Sequence, residues 1–113
     1  MSEKKPVVLA WDVDGTLTED TAWDADGCSS AEPRQEIIDL ANLAHKSFFN
    51  VIHTARRSEL YNETMLWLGK NAVRFQAVHF DKMASDVYID DKAYNPNCPE
   101  CMDKLNKIIK RGR

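Results

Sequence analysis

Pro6-Val7-Val8-Leu9-Ala10-Trp11-Asp12-Val13-Asp14-Gly15-Thr16-Leu17 is the stretch on which the fold turns. Its first half is a continuous apolar run of the length expected for a buried parallel strand. Gly15 then permits the sharp turn that takes the chain away from the sheet. Between strand and turn stand two carboxylates, Asp12 and Asp14, two residues apart. In an open α/β sheet chemistry collects at the carboxyl ends of strands, so two acids placed there point to a site.

Working outward, Thr18 to Glu32 is polar and rich in Asp, Ser and Gly, which predicts a loop or flap holding Trp23 as a gate or a packed loop residue. Pro33 suits the first turn of a helix whose apolar face carries Ile37, Leu40, Ala41 and Ala44. Phe48 to His53 predicts a second strand, and Ser58 an N-cap for a helix with Tyr61, Met65 and Leu68 on one face and Gly69 at its stop. Val73 to Phe80 and Asp86 to Asp90 predict a third and a fourth strand, and Pro99 opens a last helix carrying Met102, Leu105, Ile108 and Ile109. Strands alternating with helices imply right-handed crossovers and a parallel sheet covered on both faces, a three-layer α/β domain.

With 113 residues the chain is long enough for one core and one domain. A net charge of -3 gives no broad electrostatic attraction to nucleic acid, and the basic ends, Lys4-Lys5 and Lys110-Arg111-Gly112-Arg113, read as solvated termini. No apolar run approaches the roughly 20 residues of a membrane span, and Met1-Ser2-Glu3-Lys4-Lys5 is not followed by an adequate signal-peptide core. A cytoplasmic location without membrane partners is the expectation. Three cysteines, Cys28, Cys98 and Cys101, are too few and too odd in number for a disulfide framework.

Four pieces at predicted strand ends carry reactive groups: Asp12-Val13-Asp14-Gly15-Thr16, then Thr54 within Ile52-His53-Thr54-Ala55-Arg56-Arg57, then Lys82, then Asp90-Asp91. They supply a nucleophilic carboxylate, a second acid, a hydroxyl donor, a cation and a metal-binding acid pair, which are the requirements of phosphoryl transfer to a carboxylate. Taken singly, the first acids read as turn residues, Thr54 as a cap or loop hydroxyl, Lys82 as a solvated lysine and Asp90-Asp91 as a strand end. Taken jointly, four strand-end placements in one order favour the functional reading.

In those four motifs the chain resembles a haloacid dehalogenase-superfamily phosphatase. Phe80-Asp81-Lys82-Met83-Ala84-Ser85-Asp86-Val87-Tyr88-Ile89-Asp90-Asp91-Lys92-Ala93 is similar to small capless members associated with capsule and polysaccharide biosynthesis. The resemblance covers roughly residues 6 to 94 and implies a Rossmann-like sheet of order 3-2-1-4 without a cap domain. It implies that Asp12 attacks phosphorus to form an aspartyl-phosphate while Asp14 protonates the leaving oxygen and later deprotonates water. It also implies Mg²⁺ held by Asp12, the Asp14 main chain and the Asp90-Asp91 pair, with Thr54 and Lys82 on the phosphoryl oxygens. Asp12 must stay ionised in that scheme, and Asp14 is the acid whose pKa should be raised.

Ala55 and Arg56 follow Thr54 as substrate-binding candidates, Arg56 reaching either a phosphate or a surface acid. His53 alternates with Thr54 along the strand and is expected to pack in the core. Cys98-Pro99-Glu100-Cys101 has CxxC spacing; free thiols are the default for the three cysteines, with a tetrahedral structural Zn²⁺ site made with Cys28 and one His or Asp, or a redox pair, as the alternatives. The short intervals between motifs imply an open site, which suits a bulky substrate or closure by a neighbouring subunit in a homo-oligomer. A phosphorylated small molecule, a sugar phosphate first, is the expected substrate, with a nucleotide or polynucleotide end second and the acidic balance weighing against long polynucleotides. A receiver domain shares the acid cluster, Thr and Lys, but its acceptor Asp ends the middle strand, where this chain has Thr54. A non-catalytic phosphate-binding module remains as the third reading.

Overall fold

The computed structural model describes residues 7–21 and 24–111. Trp23, the basic pair Lys4-Lys5, Pro6, Gly112 and Arg113 lie outside the described residues. The first strand, β1, runs Val8–Trp11, and its register places Val8 opposite Phe49 and Trp11 opposite Ile52 of a parallel β2, Phe49–His53. The third strand is shorter than predicted: β3 is Ala77–His79, parallel to β2, with His53 opposite His79. Four helices complete the fold among the described residues: α1 (Ala25–Ser30), α2 (Gln35–Ala44), α3 (Tyr61–Lys70) and α4 (Pro99–Arg111). Ser58 opens a single tight turn, Ser58–Leu60, ahead of α3 rather than capping it.

The sheet order is β1-β2-β3, so the predicted fourth strand beside β1 is a correction. Residues 86–90 form no strand and are exposed throughout, with Val87 at 73% and Ile89 at 99%. A short apolar run such as Val87-Tyr88-Ile89 makes a strand only where it is paired and covered, and here nothing described covers it.

The missing strand also removes a layer. Right-handed crossovers along a 1-2-3 order put the connecting helices α2 and α3 on the same face, and α4 packs against α2 there. Leu9, Trp11, Asn50 and Ile52 accordingly share the covered face, where Trp11 and Ile52 join Ile37, Ile38, Leu40, Ala41, Trp67, Leu68 and Ile109 in one core. Val8 and Ala10 on the opposite face are exposed, and Phe49 and Val51 are half-buried. The three-layer expectation becomes two layers among the described residues.

Asn50 is the polar member of this core. Its side-chain oxygen accepts from Trp11 Nε1 at 2.9 Å, and its amide nitrogen donates to the carbonyls of Ala41 at 2.8 Å and Arg74 at 3.2 Å. One buried amide thus ties β1, α2 and the lead-in to β3 to β2, each bond made where an unmade one would cost a desolvation penalty.

The predicted flap is a folded excursion instead of a loop. Its base is closed by Glu19 N–H on the Glu32 carbonyl at 2.9 Å and Arg34 N–H on the Leu17 carbonyl at 2.8 Å. Within it α1 is capped by Asp24, whose carboxylate accepts from Gly27 N–H at 2.7 Å. Cys28 on α1 is fully buried, and Trp67 of α3 donates to the Ala31 carbonyl at 2.8 Å just beyond it.

Candidate active site

The site begins where β1 ends. Asp12 takes its Oδ1 onto the N–H of Val13 at 2.8 Å, and the chain turns at Gly15, whose φ of 77° is the left-handed conformation that glycine adopts without strain. Thr18 fixes that turn from below: its hydroxyl accepts from Gly15 N–H at 3.2 Å and donates to the Asp20 carbonyl at 2.7 Å, while its own N–H returns to Val13 at 3.0 Å. The Gly15 carbonyl is held by Arg34 Nη1 at 3.1 Å, and the same nitrogen reaches Asn97 Oδ1 at 3.1 Å.

The end of β2 supplies the second wall. Thr54 is fully buried, with its hydroxyl oxygen accepting from Arg56 N–H at 3.1 Å. That bond shapes the loop and aims Arg56 back across the sheet end, where its guanidinium holds the Asp14 carboxylate. Arg56 Nη2 lies 2.8 Å and Nε 3.1–3.3 Å from the two oxygens, and Nη1 donates to Thr64 Oγ1 at 3.0 Å on α3. The side chain of Arg56 is 1% exposed and that of Asp14 13%, so this ion pair is shielded from water. Ala55, between them, is exposed.

The end of β3 supplies the cation. Asp81 adopts a positive φ of 60°, donates its N–H to the Arg56 carbonyl at 3.0 Å and accepts from Ser58 N–H at 3.2 Å. Lys82 N–H then bonds the Thr54 carbonyl at 2.9 Å, which fixes the start of its side chain beside the site. Its ammonium lies 4.6 Å from the centre of the Tyr88 ring, and the Tyr88 hydroxyl bonds the Met83 carbonyl. Lys82 is half-buried.

Electrostatics separates the two acids. Burial pushes the Asp12 carboxyl above the ordinary carboxylate range, against the opposing pull of the Lys82 ammonium and the Val13 N–H. Both oxygens of Asp14 serve as acceptors for Arg56. His53 is half-buried, its ring edge-on to His79 at 5.4 Å; burial and the neighbouring Lys82 and His79 lower its pKa.

The structure thus gathers Asp12, Asp14, Thr54, Arg56 and Lys82, and leaves Asp90 and Asp91 exposed in an irregular segment. Magnesium demands near-octahedral oxygen coordination. Among the described residues no group of three His, Cys, Asp or Glu side chains could hold a metal ion, so neither the Asp12/Asp14/Asp90/Asp91 set nor the Cys28/Cys98/Cys101 zinc set is assembled. All three cysteines are free thiols. The sequence reading missed Thr18, Arg34, Thr64 and Asp81; Arg34 and Asp81 act through bonds to residues about 20 positions away, and Thr18 and Thr64 through turns of the chain that no local pattern marks.

Comparison with known proteins bears on the fold. No protein-family model and no curated protein matches the chain. Among solved structures it is similar to an MCSG target from Vibrio cholerae, with 24% identity and a TM-score of 0.71 over 95% of this chain and 99% of that one. It is also similar to chains in structures of the Pnkp1/Rnl/Hen1 complex and the Pnkp1/Rnl/Hen1 RNA repair complex. The first match has 15% identity, a TM-score of 0.58 and 75% coverage of this chain, and the second 16%, 0.59 and 94%. The chain spans 30% of the length of each of those two. The shared feature is an α/β domain around a small parallel sheet. No helix among the described residues is long and apolar enough to cross a membrane.

Proposed function

We propose that the chain is a phosphomonoesterase of the haloacid dehalogenase type that works through an aspartyl-phosphate on Asp12. The observation that carries this reading is the convergence, from three strand ends, of a half-buried carboxylate facing a lysine with a second acid clasped by an arginine. A carboxylate short of solvent is a better nucleophile than a hydrated one, and Lys82 offsets the charge on the transferring phosphoryl group.

The steps follow from the chain's own groups. An Asp12 oxygen attacks phosphorus and the P–O ester bond breaks. The leaving oxygen takes a proton from Asp14. Water then attacks the phosphoryl group, returns a proton to Asp14 and frees Asp12 with orthophosphate. Asp14 serves only when its oxygens are released from Arg56, and an incoming phosphate is the competitor for that guanidinium, since Arg binds phosphate and carboxylate with the same planar fork. Arg56 therefore couples substrate arrival to the availability of the acid. Thr54, fully buried, acts here by shaping the Arg56 loop. Magnesium remains part of the reading on the strength of the four motifs, although its donor set is not assembled.

For the substrate, a sugar phosphate is the first reading. A terminal phosphate on RNA is the second, favoured by the likeness to chains of an RNA repair complex. Phosphate release from p-nitrophenyl phosphate, hexose phosphates and 3′- or 5′-phosphorylated oligoribonucleotides, with and without Mg²⁺, tests both. Turnover absent from Asp12→Asn supports the assignment. No turnover of any ester by the unsubstituted protein favours a phosphate-binding module instead.

A further inference from the structure

The Cys98-Pro99-Glu100-Cys101 segment is not used by the chemistry above. It opens α4, a helix of 13 residues. The Cys98 carbonyl accepts the first helical bond from Met102 N–H at 3.0 Å, its N–H bonds the Asn95 carbonyl at 3.0 Å, and Cys98 therefore occupies the N-cap. Its sulfur accepts from Cys101 N–H at 3.4 Å, so the two residues face each other across the first turn. Helix geometry sets Cα atoms three residues apart at about 5 Å, inside the span that a disulfide bridges. Both residues are half-buried and neither is in a disulfide.

The two thiol environments in this chain differ in kind. Hydrogen bonds from the Cys101 side chain and backbone lower the Cys98 thiol from its ordinary value, whereas burial raises that of Cys28. The positive end of the helix favours the same thiolate at position 98. Pro99 pre-sets the backbone at the first helical position, which holds the pair in one geometry.

We propose that Cys98 and Cys101 form a redox-active dithiol, reversibly oxidised to an intrachain disulfide by low-molecular-weight disulfides, with Cys98 attacking and Cys101 resolving. The Cys98 thiolate attacks one sulfur of glutathione disulfide, that S–S bond breaks, and one glutathione leaves as its thiolate. Cys101, having lost its proton to solvent, attacks the Cys98 sulfur and expels the second glutathione thiolate. Two protein thiols lose two electrons and two protons, and one glutathione disulfide becomes two glutathione thiols. Arg34, bonded to both Asn97 and the Gly15 carbonyl, sets this pair beside the loop that follows β1.

The test exposes the full chain to stepped ratios of oxidised to reduced glutathione, quenches with acid, alkylates, and maps masses by peptide. A species lighter by two hydrogen atoms should accumulate on the 98–101 peptide, unchanged in Cys28→Ser. In Cys101→Ser it should give way to a single glutathione adduct on Cys98, and Cys98→Ser should form neither product at the wild-type rate. In the unsubstituted reduced protein, which needs no variant to fold, iodoacetamide should reach Cys98 before Cys101. Equal alkylation rates, adducts gathering on Cys28, or glutathione adducts that persist on both residues without ring closure overturn the assignment.

Discussion

Replacing Arg56 with Met removes a guanidinium that satisfies two oxygens of Asp14 and the hydroxyl of Thr64. The pair is shielded, with side-chain exposures of 1% and 13%, so the variant leaves a carboxylate with little access to water. Breaking a buried ion pair from one side costs about 3–5 kcal/mol. The residual exposure of Asp14 lets some water in and puts the expected loss near the lower end, about 3 kcal/mol. With a urea m-value of about 2 kcal/mol/M, that moves the unfolding midpoint down by about 1.5 M. Trp11 and Trp67, both buried, report the transition by fluorescence.

The double variant Arg56→Met with Asp14→Leu should recover most of that loss, because a buried pair exchanged for apolar groups is close to neutral. The two single changes and the double change form a cycle whose coupling should exceed about 2 kcal/mol. A cost below about 1 kcal/mol for Arg56→Met, with coupling within about 0.5 kcal/mol, is the signature of an exposed pair. That result refutes the view of Arg56 and Asp14 as a shielded clasp, and with it the idea that phosphate must compete for Arg56.

Three further outcomes are expected. Asp12 has its folded pKa raised, so its favourable contribution is complete below the unfolded value of about 3.9 and lost as pH rises through the folded value. Asp12→Asn should therefore abolish turnover yet stabilise the fold by about 0.5–2 kcal/mol near neutral pH, a gain that shrinks in urea melts taken toward pH ~3. Lys82→Met should lower phosphate release roughly 100- to 1,000-fold and raise the Asp12 pKa further, read by carboxylate NMR titration; an unmoved Asp12 titration rules Lys82 out as its neighbour. Mg²⁺ should slow backbone hydrogen exchange across residues 86–91 in the wild type but not in Asp12→Asn, and identical exchange in both removes the cation from the proposed reaction.

What the sequence made legible was whatever depends on neighbours along the chain. The apolar runs before Asp12 and in Phe48 to His53 predicted the first two strands to within a few residues, and Pro99 marked the start of α4 correctly. The flap was misread because α1 carries little apolar signal in Ala-Asp-Gly-Cys-Ser-Ser; it is held by its Asp24 cap and by the burial of Cys28. Asp86–Asp90 failed for the opposite reason. Its local pattern is that of a strand, but a strand needs a partner, and pairing is not written in the segment itself.

The site divides along the same line. Asp12, Asp14, Thr54, Arg56 and Lys82 were visible because reactive residue types stand at strand ends, and strand ends are predictable from hydrophobic runs. The contacts among them were not. Nothing local to Asp14 shows that an arginine 42 positions later will engage both of its oxygens, nor that Thr54 will spend its acceptor on the Arg56 N–H. Asp12 keeps a single neutral N–H and a nearby ammonium, so burial prevails and its carboxyl is raised. Asp14, the acid that the proposed reaction uses for proton transfer, rests against a guanidinium, so in that reaction an incoming phosphate must first take Arg56 from it.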